Sequence, residues 1–259
     1  MTTLTVLGGS AAGVGTGQGC AGFLVEQGQS AIVLDLGPNT LLELRKHVEM
    51  RSLDGIVISH LHMDHMLDIL ALRFALDYAP VPYTRRLPLW LPPGGFAFFA
   101  RAADAFAWEG DSATFFTSVF DMHEYDPDGE LILGEFTVTF HRTEHSVPCW
   151  AMRVRPTDAQ NGDLIYTADT ANTHALESFA HGATVVLSES TLPETPPPGA
   201  DRPHSSAEEA ADLAISAGAG TLVLTHIWEE DNPERSVELA QARFTGPVVL
   251  AMPGVKVTW

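Results

Sequence analysis

Apolar residues along the chain fall into short runs with two different periods. Residues 4–7, 22–26 and 31–36 are brief and rich in apolar residues, with glycine-containing turns between them, which predicts strands. Residues 39–50 predict a helix, and 53–59 form another apolar strand that ends on a cluster of histidines. A helix is predicted next, over 65–78. Residues 80–98 are rich in proline and glycine and predict loops around a short strand at 88–91. The segment 96–108 has helical spacing, with Phe96, Phe99, Ala103 and Phe106 on a core-like stripe and Trp108 at its end. Phe115, Phe116 and Phe120 extend this aromatic region, which reads first as buried core and otherwise as a dimer face or a pocket wall.

The second half repeats the style. Strands are predicted at 131–133, 136–141, 149–155 and 163–167, then a helix at 173–180 and a strand at 184–189. Residues 207–217 form a clear helix, with serines before it and Gly218 after it. A strand at 221–225, a helix at 234–244 and a last strand at 248–251 complete the pattern. Two successive β-rich and then αβ halves predict two sheets packed face to face, with helices outside. No short-period repeat or dividing linker interrupts the chain, so a single domain over 1–259 is expected.

With 45% hydrophobic residues the chain can fill a core, yet no apolar run approaches the ~20 residues that cross a bilayer. The first residues lack a basic segment and run straight into a strand, so no signal peptide and a cytoplasmic location are expected. Cys20 and Cys149 are too few for a disulfide framework and exclude a cysteine-rich metal site; both read as small buried thiols. The net charge of −19 repels a polyanion at long range and argues against nucleic acid as a partner. A small-molecule substrate in a metal-centred pocket remains compatible, because the cations there dominate the local field.

The chemistry lies in His60-Leu61-His62-Met63-Asp64-His65. Residues i and i+2 of an extended chain point the same way, so His60 and His62 can reach one metal from one side. Asp64 and His65 follow where the chain turns into a helix, and that bend can send them toward a second metal. Imidazole and carboxylate suit zinc, with Mn2+ or Fe2+ as alternatives.

This segment resembles the HxHxDH signature of the metallo-β-lactamase superfamily, and other landmarks occur in the family's order. Asp35 in Leu34-Asp35-Leu36-Gly37 looks like its early aspartate, and His145 in Thr143-Glu144-His145-Ser146 like its third metal histidine. Asp169, after Tyr166-Thr167-Ala168, resembles the bridging aspartate, and His226, after Leu224-Thr225, the last ligand. The resemblance implies an α/β fold, the four-layer αββα sandwich. It also implies two zinc ions: His60, His62 and His145 on the first, Asp64, His65 and His226 on the second, and Asp169 on both. His47, His123, His141, His174 and His181 are expected to be solvated or structural.

Two such metals acidify water toward neutrality and stabilise attacking and leaving oxygens, which implies hydrolysis without naming the substrate. Leu187-Ser188-Glu189-Ser190, followed by His204-Ser205-Ser206-Ala207-Glu208-Glu209, is similar to the tRNase Z and cyclic-nucleotide phosphodiesterase branch. There a glutamate orients a histidine that faces the scissile phosphate, which implies that Glu189 orients His204 and that Asp64, Glu189 and His204 serve catalysis. The interval from His145 to Asp169 is too short for the tRNA-gripping arm of tRNase Z, and Glu229-Glu230-Asp231 is acidic where tRNase Z is partly basic. Val6-Leu7-Gly8-Gly9-Ser10 and Phe244-Thr245-Gly246-Pro247 look closer to compact bacterial phosphodiesterases. The expected enzyme is a phosphodiesterase for a small substrate such as a cyclic nucleotide, in a homodimer. A lactonase, a tRNA-processing nuclease and a metal-holding regulatory module are the alternatives. Asp201, Arg202 and Trp228 stand near these landmarks as candidates for shaping the pocket.

Overall fold

The computed structural model describes residues 1–81, 85–107, 110–158, 162–197 and 202–259. The chain order is β1 (Thr2–Gly8), β2 (Gly22–Gln27), β3 (Ser30–Leu36), α1 (Thr40–His47), β4 (Gly55–Val57), α2 (Met63–Met66), α3 (Asp68–Asp77), β5 (Leu87–Leu91), α4 (Gly95–Phe106) and β6 (Phe120–Glu124). The second half continues with β7 (Leu131–Leu133), β8 (Phe136–Arg142), β9 (Trp150–Pro156), β10 (Leu164–Tyr166), α5 (His174–Ala180), β11 (Val185–Glu189), α6 (Ala207–Ala217), β12 (Thr221–Thr225), α7 (Pro233–Gln241), β13 (Val248–Leu250) and β14 (Lys256–Thr258).

The strands form two seven-stranded sheets, ordered β14-β1-β2-β3-β4-β5-β6 and β13-β12-β11-β10-β9-β8-β7. In the first, β3 to β6 run parallel and β2, β1 and β14 continue antiparallel. In the second, β10 to β13 run parallel and β9, β8 and β7 continue antiparallel.

Period-two alternation assigns the layers. Phe23, Val25, Ile32 and Leu34 point between the sheets, meeting Phe136, Val138, Tyr166 and Leu187 from the other one. Leu24, Val33 and Ile56 point the opposite way, against Leu44 of α1, Ile69 and Leu72 of α3 and Phe99 of α4. On the far side, Ile165, Val186 and Leu222 meet Leu176 of α5 and Ala210, Ala214 and Ala217 of α6. Three apolar layers between four structural layers give the αββα sandwich. Strands packed on both faces need apolar side chains at both parities, which explains their near-continuous hydrophobic runs.

The expected helix over 39–50 ends at His47, with a 3-10 turn over Met50–Ser52. The one over 65–78 is two pieces, α2 and α3. Phe99 and Ala103 are buried as expected, but Phe96 and Phe106 are 48% and 50% exposed. The helix α4 sits against the edge strand β6, so only its middle reaches the core. Trp108 and Asp201 lie outside the described residues. Two strands escape the hydrophobic pattern: β6 is an edge strand with polar Asp121, His123 and Glu124, and β14 alternates Lys256, Val257 and Thr258. The strand at 248–251 is therefore not the last. The serine before α6 is borne out: the Ser206 hydroxyl accepts from Glu209 N, the Glu209 carboxylate accepts from Ser206 N, and Gly218 closes the helix in the left-handed region.

Candidate metal centre

Parallel strands of an α/β sheet present binding groups at their carboxyl ends, and both sheets do so on the same side of this molecule. Asp35 lies at the end of β3, His60 just past β4, Asp169 past β10, Glu189 at the end of β11 and His226 just past β12. His62, Asp64 and His65 come from the turn into α2, and His145 from the β8–β9 loop. At Gly37 a side chain is impossible, since a Cβ would meet the Asp64 carbonyl at 1.8 Å. That close approach sets α2 against the end of β3. Asp35, Ala168 and His226 have φ of 56°, 50° and 57°, a left-handed conformation that costs non-glycine residues about 1–2 kcal/mol each. Strain of this kind collects where tertiary contacts fix a functional loop.

Two sets of ligating atoms converge. In the first, His62 Nδ1 lies 3.2 Å from both His60 Nε2 and His145 Nε2, while Asp169 Oδ2 is 3.8 and 3.7 Å from those two nitrogens. In the second, His65 Nε2 is 3.3 Å from Asp64 Oδ2 and 3.3 Å from Asp169 Oδ1, and His226 Nε2 is 3.2 Å from Asp64 Oδ2 and 3.5 Å from Asp169 Oδ2. Around a tetrahedral cation with bonds of ~2.0–2.1 Å, ligand atoms stand about 3.3 Å apart. The spacing thus suits one cation in each set, with Asp169 common to both.

The donor inventory gives the same answer. His65 Nδ1 donates to Asp35 Oδ2 at 2.8 Å, which leaves Nε2 as its free lone pair in the neutral ring. His145 Nδ1 donates to the Pro203 carbonyl at 3.1 Å, with the same result. His65 Nε2 and Asp169 Oδ1 are both buried without a hydrogen-bond partner, facing each other. Buried polar atoms left in this way are costly, and a cation between them satisfies both.

Burial pushes His60 well below the usual imidazole range, helped by His65, and burial also lowers His62 and His145. Neutral rings are the form that binds metal. Burial alone would raise Asp64, but the neighbouring His226 and His65 rings outweigh it and hold the carboxyl well below its usual range. Asp169 behaves likewise, with burial outweighed by His226 and His65. His65 goes the other way: burial would lower it, yet Asp169 and Asp35 outweigh that and raise it well above the usual range. A ring so enclosed by carboxylates sits where positive charge is wanted. Cys20 is pushed up to about 12 and Cys149 upward too, both chiefly by burial, so these buried free cysteines stay thiols.

The family model for the β-lactamase superfamily domain matches residues 31–227, which spans this whole ligand set. The chain belongs to the metallo-β-lactamase superfamily. This metallo-hydrolase is 30% identical over 251 residues to YhfI of Bacillus subtilis, covering 97% of each chain. The crystal structure of YhfI, described as a metallo-β-lactamase fold protein, superposes with a TM-score of 0.86 at 26% identity, covering 99% of this chain and 98% of that one. A ribonuclease Z of Methanopyrus kandleri is 24% identical over 275 residues, covering 91% of this chain and 90% of its own. A diphosphatase of the PhnP family shares the fold, with a TM-score of 0.70 at 20% identity over 100% of this chain and 98% of the other.

Beside the ligand sets of this metallo-hydrolase stands His204, its ring centroid 5.1 Å from His145 and 5.5 Å from His226. Its Nδ1 donates to Glu189 Oε1 at 2.9 Å. Burial would lower His204, but the Glu189 carboxylate outweighs it and raises the ring above its usual range. Arg202 donates to the His204 carbonyl at 2.8 Å and pairs with Glu209, so it braces the loop before α6. Trp228 is 37% exposed and rests on Gly13, where a Cβ would come within 3.0 Å of its ring. The remaining histidines lie apart from the ligand sets: His47 bonds Glu43, His123 stacks on Trp90, His141 stacks on Phe179 and His174 pairs with Glu177. His181 follows α5 and its carbonyl accepts from Arg153.

Sequence reasoning missed Ser59, Thr191, Tyr166 and the Pro203 carbonyl. Tyr166 donates to Asp35 at 2.7 Å, and burial, then Asp35, keeps its phenol protonated well above the usual range. Ser59 and Thr191 do carry a signal, since each is a hydroxyl residue within two positions of His60 or Glu189.

Proposed function

We propose that this metallo-hydrolase is a phosphodiesterase acting on a small substrate, of which a 3′,5′-cyclic nucleotide is the leading class. In this reading His60, His62 and His145 hold one zinc ion, Asp64, His65 and His226 hold a second, and Asp169 binds both, with Mn2+ or Fe2+ as substitutes. Such ions, when bound, make water nucleophilic near neutral pH and stabilise charge on attacking and leaving oxygens. The protein's own side chains supply the rest. Asp35 holds the His65 ring, and the Pro203 carbonyl holds His145, so that each ligand is orientated before an ion arrives. Asp64 and Asp169 remain ionised and balance the positive charge.

The observation that carries the reading is His204. Its ring sits beside both ligand sets, held by a fully buried carboxylate that favours the imidazolium. An imidazolium there can stabilise charge on a phosphoryl oxygen or give its Nε2 proton to a departing alkoxide. A lactone also expels an alkoxide, so the preference for a phosphodiester rests on the likeness of the Glu189–His204 pair to the phosphodiesterase branch. The M. kandleri relative is named for cleaving RNA, itself a phosphodiester. A net charge of −19 supports a small substrate over a long polyanion. The reading includes a cytoplasmic homodimer, with Phe96 and Phe106 of α4 as the surface that a second copy would cover.

The test is a panel assay on purified protein, with metal analysis. The expected result is about two ions per chain, cleavage of bis-(p-nitrophenyl) phosphate and turnover of at least one cyclic nucleotide. Ready lactone hydrolysis with no phosphodiester cleaved would sink it.

A further inference from the structure

Two hydroxyl groups, one in each half of the chain, stand between a buried carboxylate and a ring of the metal centre. Ser59 Oγ lies 2.7 Å from Asp35 Oδ2 and 3.0 Å from His60 Nδ1. Thr191 Oγ1 lies 2.6 Å from Glu189 Oε2 and 2.7 Å from His226 Nδ1. All six of these side chains are buried, and Ser59, Asp35, His60 and Glu189 are 0% exposed.

A hydroxyl has one proton to give and lone pairs to receive. At 2.6–2.7 Å from a carboxylate oxygen of a group that accepts only from donors, that proton must lie on the line between the two oxygens, or their lone pairs would repel at close range. The hydroxyl then has only lone pairs left for the ring, so the ring nitrogen must carry the hydrogen. His60 and His226 therefore each carry a hydrogen on Nδ1, which in the neutral ring leaves the Nε2 lone pair for the ligand set. Asp35 also accepts from Ser59 N, His65 Nδ1 and Tyr166 OH, and Glu189 from Thr170 N, Thr191 N and His204 Nδ1.

We infer that Ser59 and Thr191 are matched positioning residues, each relaying the orientation set by a buried carboxylate to one metal-facing histidine, Ser59 to His60 and Thr191 to His226. The device is the same in both halves. A carboxylate bonds one histidine directly, His65 or His204, and a second through a hydroxyl, His60 or His226. The inference rests on the reading of His60 and His226 as ligands, but the tautomer claim does not depend on any substrate.

The test uses the full chain, first without metal. Long-range 1H–15N correlation spectra assign the hydrogen on each ring. His60 and His226 are both expected to carry a hydrogen on Nδ1, and a ring with a bare Nδ1 at either position in the wild type overturns the proposal, whatever the variants do. Next, zinc affinity is measured by competition with a chromophoric chelator. Ser59→Ala should weaken the ion that His60 helps hold, and Thr191→Val the ion that His226 helps hold, each by about 10–100-fold. The conservative variants Ser59→Thr and Thr191→Ser keep the hydroxyl and should restore affinity to within a few fold. Folded Ser59→Ala and Thr191→Val proteins with wild-type zinc affinity and unchanged tautomers would overturn it. Should either of these two fail to fold, the wild-type spectra and the conservative pair still decide. A wild-type chain that binds no zinc, yet shows both tautomers, would count against the metallo-enzyme reading and leave the relay standing.

Discussion

Asp35 and Glu189 are both fully buried, and each gathers four hydrogen-bond donors, but what they organise differs. Around Asp35 everything is enclosed: His60 and His65 are 0% exposed at their side chains, and both rings face the ion cradle. Around Glu189 the arrangement opens. His226 is enclosed at 4%, whereas His204 keeps 21% of its side chain exposed. The same carboxylate–histidine device thus serves two purposes. In the proposed function, the sealed device would fix a ligand, and the one at the mouth would hold a proton where a substrate can reach it. Exposure of the partner ring, rather than the carboxylate itself, separates the two.

The largest effect should come from the residue that both sides share. Asp169→Ala removes an oxygen from each ligand set, so cleavage of bis-(p-nitrophenyl) phosphate should fall to background and metal analysis should find less than one ion per chain. Next, His204→Ala should lower kcat for a cyclic nucleotide by about 10²–10⁴-fold, because the departing alkoxide then lacks an acid. The same variant should lose far less on bis-(p-nitrophenyl) phosphate, whose nitrophenolate leaves without a proton, and should keep its ions. Equal losses on the two substrates would remove the acid role and with it the contrast between the two carboxylates. A third measurement sets Asp35→Asn against Glu189→Gln. Asp35→Asn should weaken metal binding by about 10–100-fold and lower Tm, because its buried donors lose a carboxylate that accepts from all four of them. Glu189→Gln should lower kcat through His204 and also weaken the ion that His226 helps hold, because Thr191 links the two; an unchanged kcat would make the two sides equivalent. The smallest effect belongs to His174→Ala. Its side chain is fully exposed, and ion content and rate should both stay at the wild-type level.

The sequence was most readable where one short segment carried all the information. Strands β2, β3 and β12 were visible as apolar runs because both of their faces are buried, and α6 because Ser206 and Gly218 mark its ends. All seven proposed ligand side chains could be picked out, since their types and order resemble a known signature, and the fold does bring them together. Orientation was not readable. Which nitrogen of His65 points inward depends on Asp35, 30 residues earlier, and His145 takes its direction from a carbonyl 58 residues later. Local pattern contains neither contact. Phe96 and Phe106 misled for a related reason, because helical spacing reports a stripe but not how much of its length has a sheet beneath it.

The pairing of β14 with β1 has a consequence for synthesis. Thr3, Leu4 and Thr5 find their outer partners only in Thr258, Val257 and Lys256. At translation speeds of ~5–20 residues per second, the nascent first sheet waits roughly 10–40 s between the emergence of His65 and that of its final strand. For that interval β1 offers a bare edge to any other chain on the polysome. A ribosome that pauses late on this message should therefore leave a product prone to aggregation even though every candidate metal-binding residue has already been made.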